Sequence, residues 1–155
     1  MSKVAQGKKI PAFSATTSDG GKWSLADAKG RKVVLFFYPK DMTSGCTLEA
    51  QQFRDLHAAF IKAGATVLGV SRDSCASHAR FRAKETLDFE LLSDGDEALC
   101  KLFDVIREKT MYGRKVMGIE RSTFLIGADG VLLREWRKVK ADGHAAEVLE
   151  AVKAL

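Results

Sequence analysis

Val33-Val34-Leu35-Phe36-Phe37-Tyr38-Pro39-Lys40-Asp41-Met42-Thr43-Ser44-Gly45-Cys46 is the stretch from which the fold can be read. Its first six residues carry no charge and are β-branched, aliphatic or aromatic, the composition of a strand covered on both faces. Pro39 ends that strand. Beyond it, Phe53, Leu56 and Phe60 recur at helical spacing while Glu49, Gln52, Arg54 and Asp55 fill other positions, so a helix is predicted from about Ser44 to just before Gly64. Gly64 suits the left-handed residue past a helix C-terminus. Cys46 then lies in the first turn, where unpaired N–H groups and the positive end of the helix dipole favour a thiolate over a thiol. In that setting a cysteine can act as a nucleophile near neutral pH.

A second apolar run, Ala65-Thr66-Val67-Leu68-Gly69-Val70-Ser71, follows the helix. Strand, helix and strand make a βαβ unit with parallel strands and a right-handed crossover. Upstream, Phe13 to Thr17 and Lys22 to Leu25 flank Asp19-Gly20-Gly21, the pattern of an N-terminal β-hairpin, and Ser24 is placed to cap one helical turn reaching Ala28. Downstream, Asp73 or Ser74 caps a predicted helix over about 74–84 that is anchored by Phe81. A short strand over 89–93 comes next. Asp94-Gly95-Asp96 then starts a helix carrying Leu99, Leu102 and Phe103. Residues 107–118, charged and punctuated by glycine, read as a loop or an irregular hairpin. Residues 122–126 and 131–136, joined through Ala128-Asp129-Gly130, read as an antiparallel pair. A last helix spans about 143–153, with Ala146, Val148, Leu149 and Val152 on its apolar side. The predicted architecture is α/β, a mixed central β-sheet flanked by helices, in a single domain over 1–155. Loops at the carboxyl ends of parallel strands collect the chemistry in such sheets, and the segment from Pro39 to Cys46 is one of them.

Composition narrows the function. With 155 residues, 46% of them hydrophobic, the chain can build one core without staples. Its apolar runs fall far short of the roughly 20 residues a membrane span needs. The polar start (Ser2, Lys3, Gln6, Lys8, Lys9) has no apolar signal region, which leaves a cytoplasmic location as the default. Three widely spaced cysteines are not a secreted disulfide framework. Only Cys75 and His78 have ligand-type spacing, and they stand alone, so no metal or other cofactor is expected. The net charge of +5 raises the question of nucleic acid, but the basic residues are dispersed. Short groups such as Arg134, Arg137, Lys138 and Lys140 have no interleaved aromatic platform and read as solvated surface.

Pro39, Thr43 and Cys46, in the pattern Pro-x-x-x-Thr-x-x-Cys, with Phe36-Phe37-Tyr38 before it and Thr47-x-Glu49 after it, resemble the peroxidatic motif of the peroxiredoxins. Gly69-Val70-Ser71-Arg72-Asp73-Ser74, Leu91-Leu92-Ser93-Asp94 and Ile119-Glu120-Arg121-Ser122-Thr123-Phe124-Leu125-Ile126 extend the likeness over nearly the whole chain. The subgroup most similar is the bacterioferritin comigratory, or peroxiredoxin Q, type. This resemblance implies a thioredoxin-like fold and the reduction of hydrogen peroxide and organic hydroperoxides through a sulfenic acid on Cys46.

The chemistry asks for the same groups independently, since attack on a peroxide needs an ionised sulfur, two oxygens held in line and donors for the leaving oxygen. Thr43 can supply a hydroxyl, or can be a plain N-cap. Arg121, at the mouth of a predicted strand, can supply a guanidinium that keeps its proton, the role of the matching family arginine. Pro39 bends the backbone and shields the sulfur. Glu49 reads either as a support behind an arginine or as an exposed first-turn glutamate. His57, His78 and His144 read as helix-surface residues without a role.

Relatives in the subgroup carry a resolving cysteine either five residues after the first, here Gln51, or in the following helix, at the position matching Arg82. Both places lack a thiol in this chain. The expected cycle therefore uses one cysteine, with the sulfenic acid reduced by an external thiol, either glutathione with glutaredoxin or thioredoxin. Cys75, two helical turns before Arg82 on the same face, is the alternative, a resolving thiol whose disulfide with Cys46 thioredoxin would reduce. Cys100 reads as packing. A dithiol reductase is excluded because Thr43 and Glu49 occupy the places three residues from Cys46. A non-catalytic binding or chaperone-like module is the rival from another class, and a monomer is the expected state.

Overall fold

The computed structural model describes residues 4–28 and 30–155, so Ser2 and Lys3 of the polar start lie outside it. Its strands are β1 (Ser14–Thr17), β2 (Lys22–Ser24), β3 (Lys32–Phe37), β4 (Ala65–Ser71), β5 (Glu90–Ser93), β6 (Ile106–Met111), β7 (Arg114–Ile119), β8 (Ser122–Ile126) and β9 (Leu132–Trp136). Its α-helices are α1 (Ser44–Lys62), α2 (Cys75–Glu85), α3 (Ala98–Leu102) and α4 (His144–Lys153). Seven strands join in one sheet in the order β2-β1-β5-β4-β3-β8-β9, while β6 and β7 form a separate ribbon. β3, β4 and β5 run parallel, and β1 and β8 are antiparallel to their neighbours, which makes the sheet mixed as expected.

β3 is central because nothing in it needs water: every residue from Val33 to Tyr38 is buried. Its alternation sends Val34, Phe36 and Tyr38 to the face covered by α1, α2 and α4. Val33, Leu35 and Phe37 go to the opposite face with α3. Phe36 stacks on Phe53 of α1 with centroids 4.5 Å apart, fixing the helix over the strand that precedes it. Gly69 makes this layer possible, because a Cβ there would stand 2.7 Å from Leu91 and 2.8 Å from Phe36. No helix of the described residues is long and apolar enough to cross a membrane.

Three expectations need correction. The segment read as a loop or irregular hairpin is a regular ribbon, paired from Ile106–Ile119 to Met111–Arg114. Tyr112 (φ 52°) and Gly113 (φ 76°) make its two-residue turn, a geometry that suits the twist of paired strands. In α4 the buried stripe contains Ala145 rather than Ala146. The three histidines are not surface residues. His57, His78 and His144 are all buried, because each shares a stripe with the apolar residues that meet the sheet: Phe53 and Phe60, Phe81, and Val148.

Candidate active site

The site is built where β3 delivers the chain to α1. Tyr38 N–H still donates to the Val70 carbonyl at 3.0 Å, and Pro39, half-buried, then turns the backbone away from the sheet. Thr43 occupies the N-cap position with extended backbone, but its side chain makes no cap. Its hydroxyl instead donates to the Lys40 carbonyl at 2.8 Å, so in this state it neither caps the helix nor touches the sulfur. The first intrahelical bond runs from Thr47 N–H to Thr43 C=O at 2.8 Å, which leaves the N–H groups of Ser44, Gly45 and Cys46 ahead of it.

Cys46 is 2% exposed and packs at the edge of the cluster that contains Ala50 and Phe53. The sulfur is nevertheless not enclosed by hydrocarbon. Arg121, between β7 and β8, places Nη2 3.4 Å from Sγ and Nη1 2.7 Å from Oε1 of Glu49. Glu49, one turn along α1 from Cys46, is wholly buried. The exposed-glutamate alternative is thereby removed, and the role behind an arginine remains. Burial pushes the Glu49 carboxyl up to about 7, against the pull of the neighbouring Arg121 guanidinium. For Arg121 the balance goes the other way: burial disfavours its charge, but Glu49 and the sulfur outweigh that and hold the proton more firmly. Oε2 of Glu49 is buried without a partner among the described residues.

Gly45 was not singled out from the sequence, yet Arg121 needs it. A Cβ at that position would lie 3.2 Å from Nη2. The signal was local, a glycine beside Cys46 at a helix start, where propensity alone would favour another residue.

Asp41 was passed over as well. Its carboxylate is buried and accepts from Tyr38 Oη–H at 2.6 Å and Ser77 Oγ–H at 2.7 Å, with His78 Nδ1 at 2.7 Å. His78 Nε2 lies 3.0 Å from the Leu92 carbonyl, which can only accept. Burial would raise the Asp41 carboxyl, but the bonds from His78, Tyr38 and Ser77 outweigh it and hold it below the usual range. Asp41 and His78 thus form a buried contact that reaches from the loop to α2. It fastens the loop between Pro39 and Cys46 to the first turn of α2. Asp41, Asp73 and His78 are close enough together to suggest a metal, but their ligand atoms are already joined to one another and to the backbone, including Asp41 N–H to Asp73 at 2.8 Å.

The other cysteines are placed differently. Cys75 begins α2, half-buried, and lines a cavity of about 600 Å³ with the β1–β2 turn, Asp94 and Asp96. Cys46 is not part of that lining. Cys100 belongs to the cluster on the far side of the sheet from Cys46. Burial and the bonded Asp94 carboxylate push its thiol far above the ordinary range. Gln51 and Arg82 are engaged elsewhere, Gln51 with Glu85 at 2.8 Å and Arg82 with Ser18 at 3.2 Å.

Residues 6–134 match the model of the AhpC/TSA family. The chain is similar to the peroxiredoxin Bcp of Xanthomonas campestris pv. campestris, with 56% identity over 88% of this chain and 86% of the relative. Among solved structures it resembles a peroxiredoxin Q mutant of Xylella fastidiosa, with TM-score 0.92 and 46% identity over 97% of this chain and 96% of that one. The bacterioferritin comigratory protein of X. campestris, described through its alkyl peroxide reduction activity, matches with TM-score 0.87 and 53% identity over 92% and 90% of the two chains.

Proposed function

Because the chain belongs to the AhpC/TSA family, and is a peroxiredoxin and thus a thiol-dependent peroxidase, we propose that Cys46 is its peroxidatic sulfur. The observation that carries this reading is the guanidinium nitrogen of Arg121 standing 3.4 Å from a sulfur in the first turn of a helix. The Cys46 thiolate attacks one peroxide oxygen, the S–O bond forms as the O–O bond breaks, and the displaced hydroxide or alkoxide takes a proton and leaves. Arg121 and the N–H groups of the first turn donate to the oxygens as charge moves onto them. Thr43 serves the reaction by turning its hydroxyl from Lys40 toward the bound peroxide, and Pro39 holds the bend that brings the loop there. Substrates are hydrogen peroxide and organic hydroperoxides, consistent with the activity ascribed to the X. campestris relative.

The product is a Cys46 sulfenic acid, which an external thiol reduces. The thiol forms an S–S bond while the S–O bond breaks and water departs, and a second thiol then restores Cys46. Glutathione with glutaredoxin, or thioredoxin, supplies the thiols, and the protein works as a monomer. What supports a one-cysteine cycle is the placement of the other two thiols, Cys75 in a separate cavity and Cys100 across the sheet. An intramolecular Cys46–Cys75 disulfide reduced by thioredoxin is the second reading, favoured by the buried bonds that tie the Cys46 loop to the first turn of α2. It requires the two Cα atoms to come within about 7 Å, and thus α1 to unwind at its start.

Peroxide consumption by the protein and by Cys46→Ser tests the premise; equal consumption would reject it. Intact mass after one equivalent of peroxide separates the two cycles. One added oxygen, converted by glutathione to a mixed disulfide, supports the external thiol, and a loss of two hydrogens supports Cys75.

A further inference from the structure

A groove of about 420 Å³, with Arg121 in its lining, opens between the β6–β7 ribbon and the segment after β9. That volume is within the range of small-molecule sites. Four cations line it, Arg107, Lys109, Arg121 and Lys138, against the carboxylates of Glu108 and Glu120. Several of these charges are already spent. Arg107 pairs with Asp104 at 3.0 Å, Glu108 with Lys115 at 3.6 Å and Arg121 with Glu49 at 2.7 Å. Among the described residues neither Lys109 nor Lys138 is paired with a carboxylate.

Both lysines are held in place by the fold. Lys109 is half-buried and its ammonium donates to the Ile119 carbonyl. Burial, first, and the nearby Arg121 charge lower its proton affinity, outweighing the opposite pull of Cys46 and of the Glu120 carboxylate. Lys138 sits at φ 54°, the left-handed region that a lysine seldom adopts. It is kept there from both sides: Arg137 donates to the Phe103 and Asp104 carbonyls at 2.8 Å each, and Val139 N–H donates to the Arg121 carbonyl at 3.0 Å. An otherwise costly backbone therefore holds a cation at a groove that Arg121 also lines, and the Nη2 of that arginine stands 3.4 Å from Cys46 Sγ.

We propose that this groove binds the carboxylate of a low-molecular-mass thiol, seated on Lys109 and Lys138, and so presents its sulfur to the Cys46 sulfenic acid. The inference rests on the external-thiol reading above and adds to it a class of reductant and the residues that select it. The bound thiolate attacks the Cys46 sulfur, the S–O bond breaks, and the oxygen leaves as water with the proton the thiol gave up. A carboxylate-bearing hydroperoxide shares the chemistry that would recognise the groove, but it would show its preference in the oxidation step, whereas the thiol shows it in the reduction step.

The test uses the whole protein oxidised with one equivalent of hydrogen peroxide, then mixed in stopped flow with 3-mercaptopropionate or 2-mercaptoethanol at equal thiolate concentration. These probes differ in the carboxylate. The expected result is reduction about tenfold faster by 3-mercaptopropionate, the size of effect a charge-assisted contact gives. That ratio should collapse toward one in Lys138→Gln and in Lys109→Met, and should shrink with added salt. Equal rates for the two thiols in the unmodified protein, or a ratio unchanged in both variants, would overturn the groove assignment while leaving the external-thiol cycle standing. If neither small thiol removes the sulfenic acid while reduced thioredoxin does, that cycle falls in its small-thiol form and the groove assignment falls with it. A preference confined to oxidation, for a carboxylate-bearing hydroperoxide over tert-butyl hydroperoxide, would overturn the thiol assignment in favour of the peroxide.

Discussion

The sulfur of Cys46 and the guanidinium of Arg121 come within 3.4 Å across 75 residues of sequence, and the same guanidinium reaches back 2.7 Å to buried Glu49. Arg121→Lys keeps the charge but loses the fork that spans sulfur and carboxylate. We expect the second-order rate of Cys46 oxidation, read by stopped-flow tryptophan fluorescence, to fall on the order of 10²- to 10³-fold, the loss typical of one oxyanion donor. A rate within threefold of the parent would show that charge alone suffices.

Arg121→Leu probes the other half of the pair. Removing one partner leaves Glu49 as a buried lone carboxylate, a change that costs about 3–5 kcal/mol. The cost should be largest above neutrality and should ease as the pH falls and Glu49 takes up a proton. Urea midpoints of parent and variant at pH 8 and pH 5.5 give the comparison. A difference that stays constant or widens on acidification would contradict the burial of that charge.

Glu49→Gln tests the raised carboxyl directly. Between its ordinary value of 4.5 and about 7, the folded chain holds a proton that the unfolded chain has released. More protons bound in the folded state means stability that is present at low pH and lost as the pH rises through that window. The variant lacks this titration, so the parent's stability relative to Glu49→Gln should decline from pH 5 to pH 8. A relative stability that rises over the same interval would place the carboxyl on the other side of its normal value.

The Asp41–His78 pair should behave in the opposite sense at the acid end. Asp41 is held below its normal value by the bonds that outweigh its burial, so the stability it contributes is present above about pH 4 and disappears as the pH drops through its folded value. His78→Leu should cost about 3–5 kcal/mol by stranding the carboxylate, and adding Asp41→Asn should cost less than the sum of the singles. Because the pair ties the Cys46 loop to α2, the singles should also speed alkylation of Cys46 by iodoacetamide relative to that of Cys75. Additive costs with unchanged alkylation would show that the pair does not fasten the loop.

What could be read in advance follows from how local each signal is. β3, α1 and β4 carry their period within a single window, so the strand, the helix and the position of Cys46 in its first turn were legible from residues 33–71. The ribbon from Ile106 to Ile119 was missed because β6 is charged and β7 mostly exposed, with no apolar alternation, and its turn rests on a tyrosine at positive φ. Buried Glu49 could not be told from an exposed one, since its partner arrives from 72 residues away. The three histidines were misread because a polar name outweighed their spacing from Phe53, Phe81 and Val148.

Gly45→Ala should separate stability from catalysis. Gly45 lies inside the first turn of α1, where alanine is favoured by about 0.5–1 kcal/mol because glycine loses more backbone freedom on folding. Its backbone is not left-handed, so a methyl group meets no strain of its own. What it does meet is Nη2 of Arg121 at 3.2 Å, tighter than comfortable contact. The guanidinium must then yield by a few tenths of an ångström, and it can do so only by moving from the sulfur or from Glu49. The expected outcome is a protein no less stable to urea than the parent whose Cys46 reacts with hydrogen peroxide at least tenfold more slowly, since displaced donors lose transition-state stabilisation steeply. If Gly45→Ala is both as stable and as fast, the 3.4 Å contact is not what accelerates the reaction. If it is destabilised and slow together, the glycine is required by the helix start rather than by the arginine.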